Sequence, residues 1–203
     1  MKRDVLSDAL YPIGLRRLGD CPDGAGTITL IGPDEPRFWP IFCESSEYKD
    51  DAADPMDRWS QRVITEVADQ LDAEPLFPFG GPPYAPFFTW AKQTGRFWAS
   101  PIGFLVHDSG GLFTSFRGAL RWRKPAELGT GPQPCVTCAK PCAIACPVGA
   151  FNDGYDVAAC KAHVASSAGK ICRTEGCLAR RACPVGQGNR LPAQAAFHME
   201  AFL

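Results

Sequence analysis

Residues 135–149 have the sequence CVTCAKPCAIACPVG, and residues 183–186 repeat its last four letters, CPVG. A run of closely spaced cysteines that ends in Cys-Pro is typical of proteins with two iron-sulfur clusters, and the repeat indicates an internal duplication. Eight of the ten cysteines lie between positions 135 and 183. Because each cubane takes four thiolates, the pattern predicts two 4Fe-4S clusters.

The spacing of these cysteines predicts how they divide between the clusters. Two or three residues between successive cysteines form tight turns that point their sulfurs at one volume, whereas the cysteine before proline serves the other cluster in this motif class. The first predicted set is therefore Cys135, Cys138, Cys142 and Cys183. The second is Cys146, Cys160, Cys172 and Cys177, with Cys160 arriving from a segment about one helix away.

Two other interpretations of the cysteines are possible. A structural zinc site could use Cys135, Cys138, Cys172 and Cys177, but it leaves four cysteines unexplained. Disulfides are disfavoured because the sequence predicts a cytoplasmic protein, and thiols stay reduced in that compartment. Cys21 and Cys43 lie outside the array, and we expect them to be ordinary small core residues.

Composition narrows the classes of partner. The 203 residues include 21 basic and 22 acidic side chains, for a net charge of -1. This balance gives no electrostatic reason to expect nucleic acid or an anionic membrane, and it favours a small molecule or a redox partner protein. The basic start lacks the apolar region of a signal peptide, and no stretch approaches the roughly 18 apolar residues of a membrane span.

A segment rich in glycine and proline, residues 128–134, lies directly before the first cysteine of the array. It predicts a domain boundary, with an α+β domain at 1–130 and a ferredoxin-like domain at 131–203. In the first domain, residues 26–32 predict a strand, because they combine β-branched residues with flanking glycines.

The apolar residues that follow Asp54 and Pro55 recur every three or four positions and predict a helix capped by Asp54. A short helix is expected from Trp90 to Gly95. Residues 101–107 and 112–118, joined by a turn at 108–111, predict a hairpin and with it an antiparallel element.

The chain resembles epoxyqueuosine reductase over roughly residues 83–187. The resemblance is carried by 90–95 (WAKQTG), by 106–113 (VHDSGGLF) and by the eight cysteines, including one between the two Cys-Pro motifs. It implies a corrinoid-binding domain followed by a two-cluster ferredoxin domain. That family has a catalytic aspartate just before the Ala-Pro matched by Ala85-Pro86, where this chain has Pro83 and Tyr84. The chain also ends soon after its second Cys-Pro, so epoxyqueuosine is not the expected substrate.

The earlier half is similar to the cobalamin-processing proteins, relatives of the flavin nitroreductases that remove the upper ligand of cobalamin. The matching segments are the strand near 27–31, Asp54–Asp57, residues 102–107, the glycine pair at 110–111, and 116–118. From this resemblance we expect a pocket for a corrinoid or, less favoured, a flavin. The expected cofactor-binding residues are Trp90, Trp98, His107, Gly110, Gly111 and Arg117.

Each of these residues also has a structural explanation. His107 could cap its turn with Asp108, the tryptophans could be core rings, and the glycines suit a turn whatever binds there. Three functional hypotheses follow. In the first, the chain passes single electrons through two clusters to a corrinoid or flavin. In the second, it is a plain ferredoxin that serves a partner enzyme, and in the third it is a non-enzymatic cobalamin carrier. The sequence predicts no catalytic residue.

Overall fold

The structure, a computed structural model, describes residues 4–203. By its internal contacts the chain forms two compact units. The first comprises the chain up to Arg96 together with Ser115–Gly131, and the second comprises Phe97–Thr114 and Pro132–Leu203. This division differs from the predicted domains, 1–130 and 131–203, by the segment Phe97–Thr114, which belongs to the cysteine-rich unit.

The strands lie between Leu15 and Trp122, and the helices are distributed from Val5 to Phe202. The strands are β1 Leu15–Asp23, β2 Gly26–Pro33, β3 Glu74–Leu76, β4 Phe97–Ala99, β5 Leu105–His107 and β6 Gly118–Trp122. The helices are α1 Val5–Leu10, α2 Phe38–Cys43, α3 Ser46–Lys49, α4 Pro55–Leu71, α5 Phe87–Gln93, α6 Val157–Ala165, α7 Lys170–Glu175, α8 Leu178–Arg181 and α9 Pro192–Phe202. Short 3-10 turns cover Tyr11–Ile13 and Pro141–Ala143.

A four-stranded antiparallel sheet with the order β1-β2-β6-β3 organises the first unit. The predicted α+β class and the strand at 26–32 are confirmed. A two-residue turn joins β1 to β2, and Gly24 has a φ of 58° there, a backbone conformation that glycine adopts without steric cost.

A buried chain of polar groups connects the three longest strands of this sheet. The Thr29 hydroxyl donates to the Asp20 carboxylate at 2.6 Å, and Trp122 Nε1 donates to the Thr29 oxygen at 2.9 Å. The Arg17 guanidinium pairs with the other Asp20 oxygen. Because a buried carboxylate is costly unless its oxygens are satisfied, these contacts favour one register of the strands.

The predicted helix after Asp54 is confirmed as α4, but the Asp54 side chain makes no capping hydrogen bond. Pro55 fits the first turn because its missing N–H would have no partner within the helix. The buried face packs against β3 and β6. Its members are Met56, Trp59, Ser60, Val63, Ile64, Val67 and Ala68.

Aromatic rings from three helices build the core beside this face. The Phe42 ring is fully buried, and its centroid lies 5.9 Å from that of Phe38, 5.7 Å from that of Trp59 and 5.2 Å from that of Tyr48. The geometries are stacked or edge-on, which aromatic quadrupoles favour. These contacts join α2, α3 and α4 into one packed layer.

The predicted hairpin of 101–107 with 112–118 is wrong. β5 pairs instead with β4, which precedes it, and residues 112–117 form no strand. β6 begins at Gly118 and belongs to the sheet of the first unit. The glycines at 110–111 are compatible with a hairpin turn, but β5 forms its hydrogen bonds with the aromatic segment 97–99. In this pairing Phe97 lies opposite His107. The short helix predicted near Trp90 is confirmed as α5.

The second unit combines the β4–β5 hairpin with α6 to α9, of which α7 packs against α6 and α9. Its core contains both apolar side chains and cysteines. Buried members are Ile102, Val106, Leu112, Cys142, Ala179 and Cys183. Within residues 4–203, no helix is long and apolar enough to cross a membrane.

Replacement of Phe42 by alanine should lower the free energy of unfolding by about 3–5 kcal/mol, because it leaves a cavity among aromatic rings. Phe88→Ala is the matched control, since the Phe88 side chain is 63% exposed, and it should change the free energy by less than about 0.5 kcal/mol. Chemical denaturation followed by circular dichroism measures both. Equal losses in the two variants would contradict the aromatic core.

Candidate functional site

Four cysteines of the second unit line one small cavity. They are Cys135, Cys138, Cys142 and Cys183, and the cavity volume is about 10 Å³. Much of the remaining lining is apolar and includes Val106, Leu112 and Val185. These four cysteines are the first set predicted from the sequence, and they come from segments more than 40 residues apart. The cavity is therefore surrounded by soft sulfur donors in an environment with little water.

Local backbone geometry directs the sulfurs of this first set. Lys140 has a φ of 58°, and its N–H donates to Cys138 Sγ at 3.3 Å. The 3-10 turn that begins at Pro141 then carries Cys142 into the core. Cys183 follows α8, where its N–H donates to the Arg180 carbonyl at 3.2 Å. A tight loop and a helix end thus supply the same cavity.

The thiols of the first set influence one another electrostatically. Burial raises the pKa of Cys135, and the proximity of Cys138 and Cys183 raises it further. The pKa of Cys142 is raised by burial and then by Cys183, Cys135 and Cys138. Four thiolates this close repel one another unless a positively charged group lies between them. The donor set is suited to such a group.

Members of the second predicted set influence one another electrostatically. The pKa of Cys172 is raised mainly by burial and further by its neighbours Cys146 and Cys160. Burial likewise raises the pKa of Cys177, with a smaller contribution from Cys172. These pKa effects link Cys146 and Cys160 to Cys172, whereas Cys183 influences Cys135 and Cys142. The division of all eight cysteines into two cluster-binding sets stays a prediction.

Backbone N–H groups point at the sulfurs of this second set. The Ala150 N–H donates to Cys146 Sγ at 3.4 Å. The Leu178 N–H donates to Cys172, and the amides of Ala179 and Arg180 donate to Cys177, which lowers the pKa of each thiol against the effect of burial. Such donors stabilise negative charge on sulfur, the form in which cysteine binds metal.

Two side chains near the second set were not predicted from the sequence. The Tyr155 hydroxyl is hydrogen-bonded with Cys160, and burial raises its pKa. Arg180 lies close to Cys177, and its Nε donates to the Leu112 carbonyl at 2.8 Å. Burial lowers the pKa of Arg180 to about 10, so it stays cationic at neutral pH. Both residues are also close to these cysteines in the sequence, because Tyr155 lies five positions before Cys160 and Arg180 three positions after Cys177.

The described part of the chain, 4–203, contains no group of three or more His, Cys, Asp or Glu side chains close enough to hold a single metal ion. The four-cysteine zinc site therefore has no formed counterpart there. All ten cysteines are free thiols. Cys21 is fully buried as predicted, and burial raises its pKa to about 11.

His107, Gly110 and Gly111 belong to the second unit and adjoin the second Cys-Pro motif. His107 is fully buried, and its Nδ1 accepts the Gly110 N–H at 3.1 Å and lies 3.2 Å from Asp108 Oδ1. A Cβ on Gly111 would lie 2.0 Å from the Val185 carbonyl oxygen. The turn-capping explanation of His107 therefore has direct support, and both glycines have a packing role.

The other three expected cofactor-binding residues, Trp98, Trp90 and Arg117, each contact different neighbours. Trp98 on β4 packs against the core of the second unit. Trp90 on α5 lies in the first unit, where its ring centroid is 5.1 Å from that of Phe87. Arg117, also in the first unit, has its guanidinium 3.4 Å from the Asp57 carboxylate. A contact of these residues with a cofactor stays a prediction.

Comparisons with known proteins give no assignment. No protein-family model matches the chain, and a search of curated proteins gives no significant match. The geometry of the cysteines is therefore the main evidence on function.

Gly111→Ala should destabilise the second unit more than Gly103→Ala does. Both glycines have positive φ values, 59° and 79°, but a Cβ at Gly103 meets no atom within 4 Å. The control variant should lose about 1 kcal/mol from backbone strain alone, whereas Gly111→Ala adds the clash with Val185. Chemical denaturation measures the two losses. Equal values would contradict the close approach of the two loops.

Proposed function

We propose that this chain is a one-electron carrier that holds two 4Fe-4S clusters. The observation that carries the proposal is the cavity lined by Cys135, Cys138, Cys142 and Cys183, in which the Cys-Pro cysteine of the second run joins the cysteines of the first run. Two-cluster ferredoxin modules use this exchange of ligands. A set of independent zinc sites would give no reason for it.

The surroundings of the sulfurs agree with this role. When bound, a 4Fe-4S cluster accepts and releases one electron at a time, at a potential that its protein surroundings set. Cys135, Cys138, Cys142 and Cys183 would hold one cluster, and Cys146, Cys160, Cys172 and Cys177 the other. The apolar lining excludes water from the first set, and the amides at Ala150 and Leu178 donate to sulfurs of the second. The chain thereby stabilises thiolates that would otherwise repel one another.

The proposal includes an immediate electron acceptor. The resemblance implies a corrinoid or flavin on the N-terminal domain, reduced by the clusters. One observation favours a site in the first unit: Asp57 and Arg117, from two segments that carry the resemblance, lie 3.4 Å apart although they are 60 residues distant in sequence. The alternatives are a plain ferredoxin that serves a partner enzyme and a non-enzymatic cobalamin carrier. A redox partner protein is expected whether the clusters reduce a bound corrinoid or flavin or serve a partner enzyme.

Pairs of cysteine variants test the exchange of ligands. After anaerobic reconstitution the full chain should contain about eight iron and eight sulfide per molecule. The double variant Cys142→Ala with Cys183→Ala removes two ligands of one set and should retain about half of both. Cys172→Ala with Cys183→Ala removes one ligand from each set and should retain little of either. Iron and acid-labile sulfide assays measure the content.

Cys21→Ala is the matched control, since Cys21 is buried outside both sets, and it should keep the full content. The opposite order of the two double variants, with the Cys172 and Cys183 pair retaining half, would show that the Cys-Pro cysteines bind within their own runs. Zinc in place of iron would contradict the cluster assignment itself.

A titration with cobalamin tests whether a corrinoid accepts electrons from the clusters. Anaerobic titration of the reconstituted chain with cob(III)alamin and an excess of dithionite should change the corrinoid spectrum faster than dithionite alone does. Arg117→Ala should weaken this effect and leave iron content unchanged, because Arg117 is expected to contact the corrinoid. A rate equal to that of dithionite alone would contradict electron transfer to a corrinoid and leave the plain ferredoxin or the cobalamin carrier as the function.

A further inference from the structure

Ser100 lines the same cavity as the first cysteine set. It directly follows β4, and its backbone is fixed by the turn to β5. The Ser100 N–H donates to the Phe104 carbonyl at 2.9 Å, and the Gly103 N–H donates to the Ser100 carbonyl at 3.0 Å. The position of this side chain is therefore set by a hydrogen-bonded turn.

The Ser100 hydroxyl is buried and has no hydrogen-bond partner within residues 4–203. The residue as a whole is 8% exposed. An unsatisfied hydroxyl is unfavourable in apolar surroundings, and buried hydroxyls nearly always have a partner. Apart from its cysteines and Lys140, the cavity is lined by apolar side chains and prolines. A group bound among the cysteines is therefore the partner that the hydroxyl lacks.

We propose that the Ser100 hydroxyl donates a hydrogen bond to a sulfur of the cluster held by Cys135, Cys138, Cys142 and Cys183, and that it raises the reduction potential of this cluster. The inference rests on the proposed two-cluster function. One-electron reduction places additional negative charge on the cluster, much of it on the sulfurs. A hydrogen-bond donor stabilises this reduced form more than the oxidised form, so the potential rises.

The proposal makes the two clusters unequal. Ser100 lines the cavity of the first set, whereas Tyr155 and Arg180 adjoin cysteines of the second. Different donors around each set give each cluster its own potential, which in turn sets the direction in which an electron passes between them. Ser100 would thus act on one cluster and leave the other unchanged.

Redox titration of the full reconstituted chain, monitored by electron paramagnetic resonance with dithionite as reductant, tests this role. Ser100→Ala should shift one of the two midpoint potentials to a more negative value. Ser100→Thr keeps the hydroxyl and should keep the potential close to that of the unmodified chain. Ser115→Ala is the matched control, because the Ser115 hydroxyl in the first unit is also buried without a partner among residues 4–203.

The Cys160→Ala variant identifies the affected cluster, because it should leave the cluster of the first set as the one being titrated. The negative shift caused by Ser100→Ala should persist in that background. Unchanged potentials in Ser100→Ala, with two clusters still present, would overturn the role of Ser100 and leave the two-cluster function intact. Equal shifts of both potentials, or the same shift in Ser100→Thr, would also overturn it. Failure to bind iron at all would overturn the proposed function.

Discussion

The second unit depends on the convergence of sulfurs from distant segments on small, poorly solvated volumes. Burial makes a thiolate unfavourable, and neighbouring thiolates make it more so, as the raised pKa values of Cys135 and Cys142 show. Such a core contains apolar contacts and also cysteine thiols whose ionised forms repel one another. A bound cation-rich group would convert that repulsion into attraction, so folding and cofactor binding are expected to be coupled.

The first unit is held together differently. Its sheet is joined across three strands by the hydrogen bonds of Asp20 and Thr29, and α4 and the Phe42 ring provide a conventional apolar core. These interactions need no cofactor. If the two units differ in this way, removal of iron should affect the second unit far more than the first, which gives the molecule one part that responds to cofactor loading and one that does not.

Much of this organisation could be predicted from the sequence, for identifiable reasons. Motif spacing placed Cys135, Cys138, Cys142 and Cys183 in one set, and these four cysteines line one cavity. Strand β2 followed from β-branched residues with flanking glycines, and helix α4 followed from local periodicity. The hairpin was wrong because two glycines at 110–111 indicate a turn but not which strand pairs with β5, and that choice depended on Phe97.

Other features depend on tertiary contacts and leave no local signal. Ser100 lies 35 residues before Cys135 in the sequence, and its relation to the first set appears only from the cavity that both line. The same is true of the close approach between Gly111 and Val185. His107 and the glycines were expected at a cofactor pocket. The structure shows that they support the turn next to the second Cys-Pro motif, and their contact with a cofactor stays a prediction.

Native mass spectrometry of the full chain, purified and reconstituted without oxygen, weighs every bound atom together with the protein and so measures directly what the cysteines hold. We expect one dominant species with the added mass of two 4Fe-4S clusters. A species carrying one cluster, zinc ions or no metal under the same conditions would contradict this expectation.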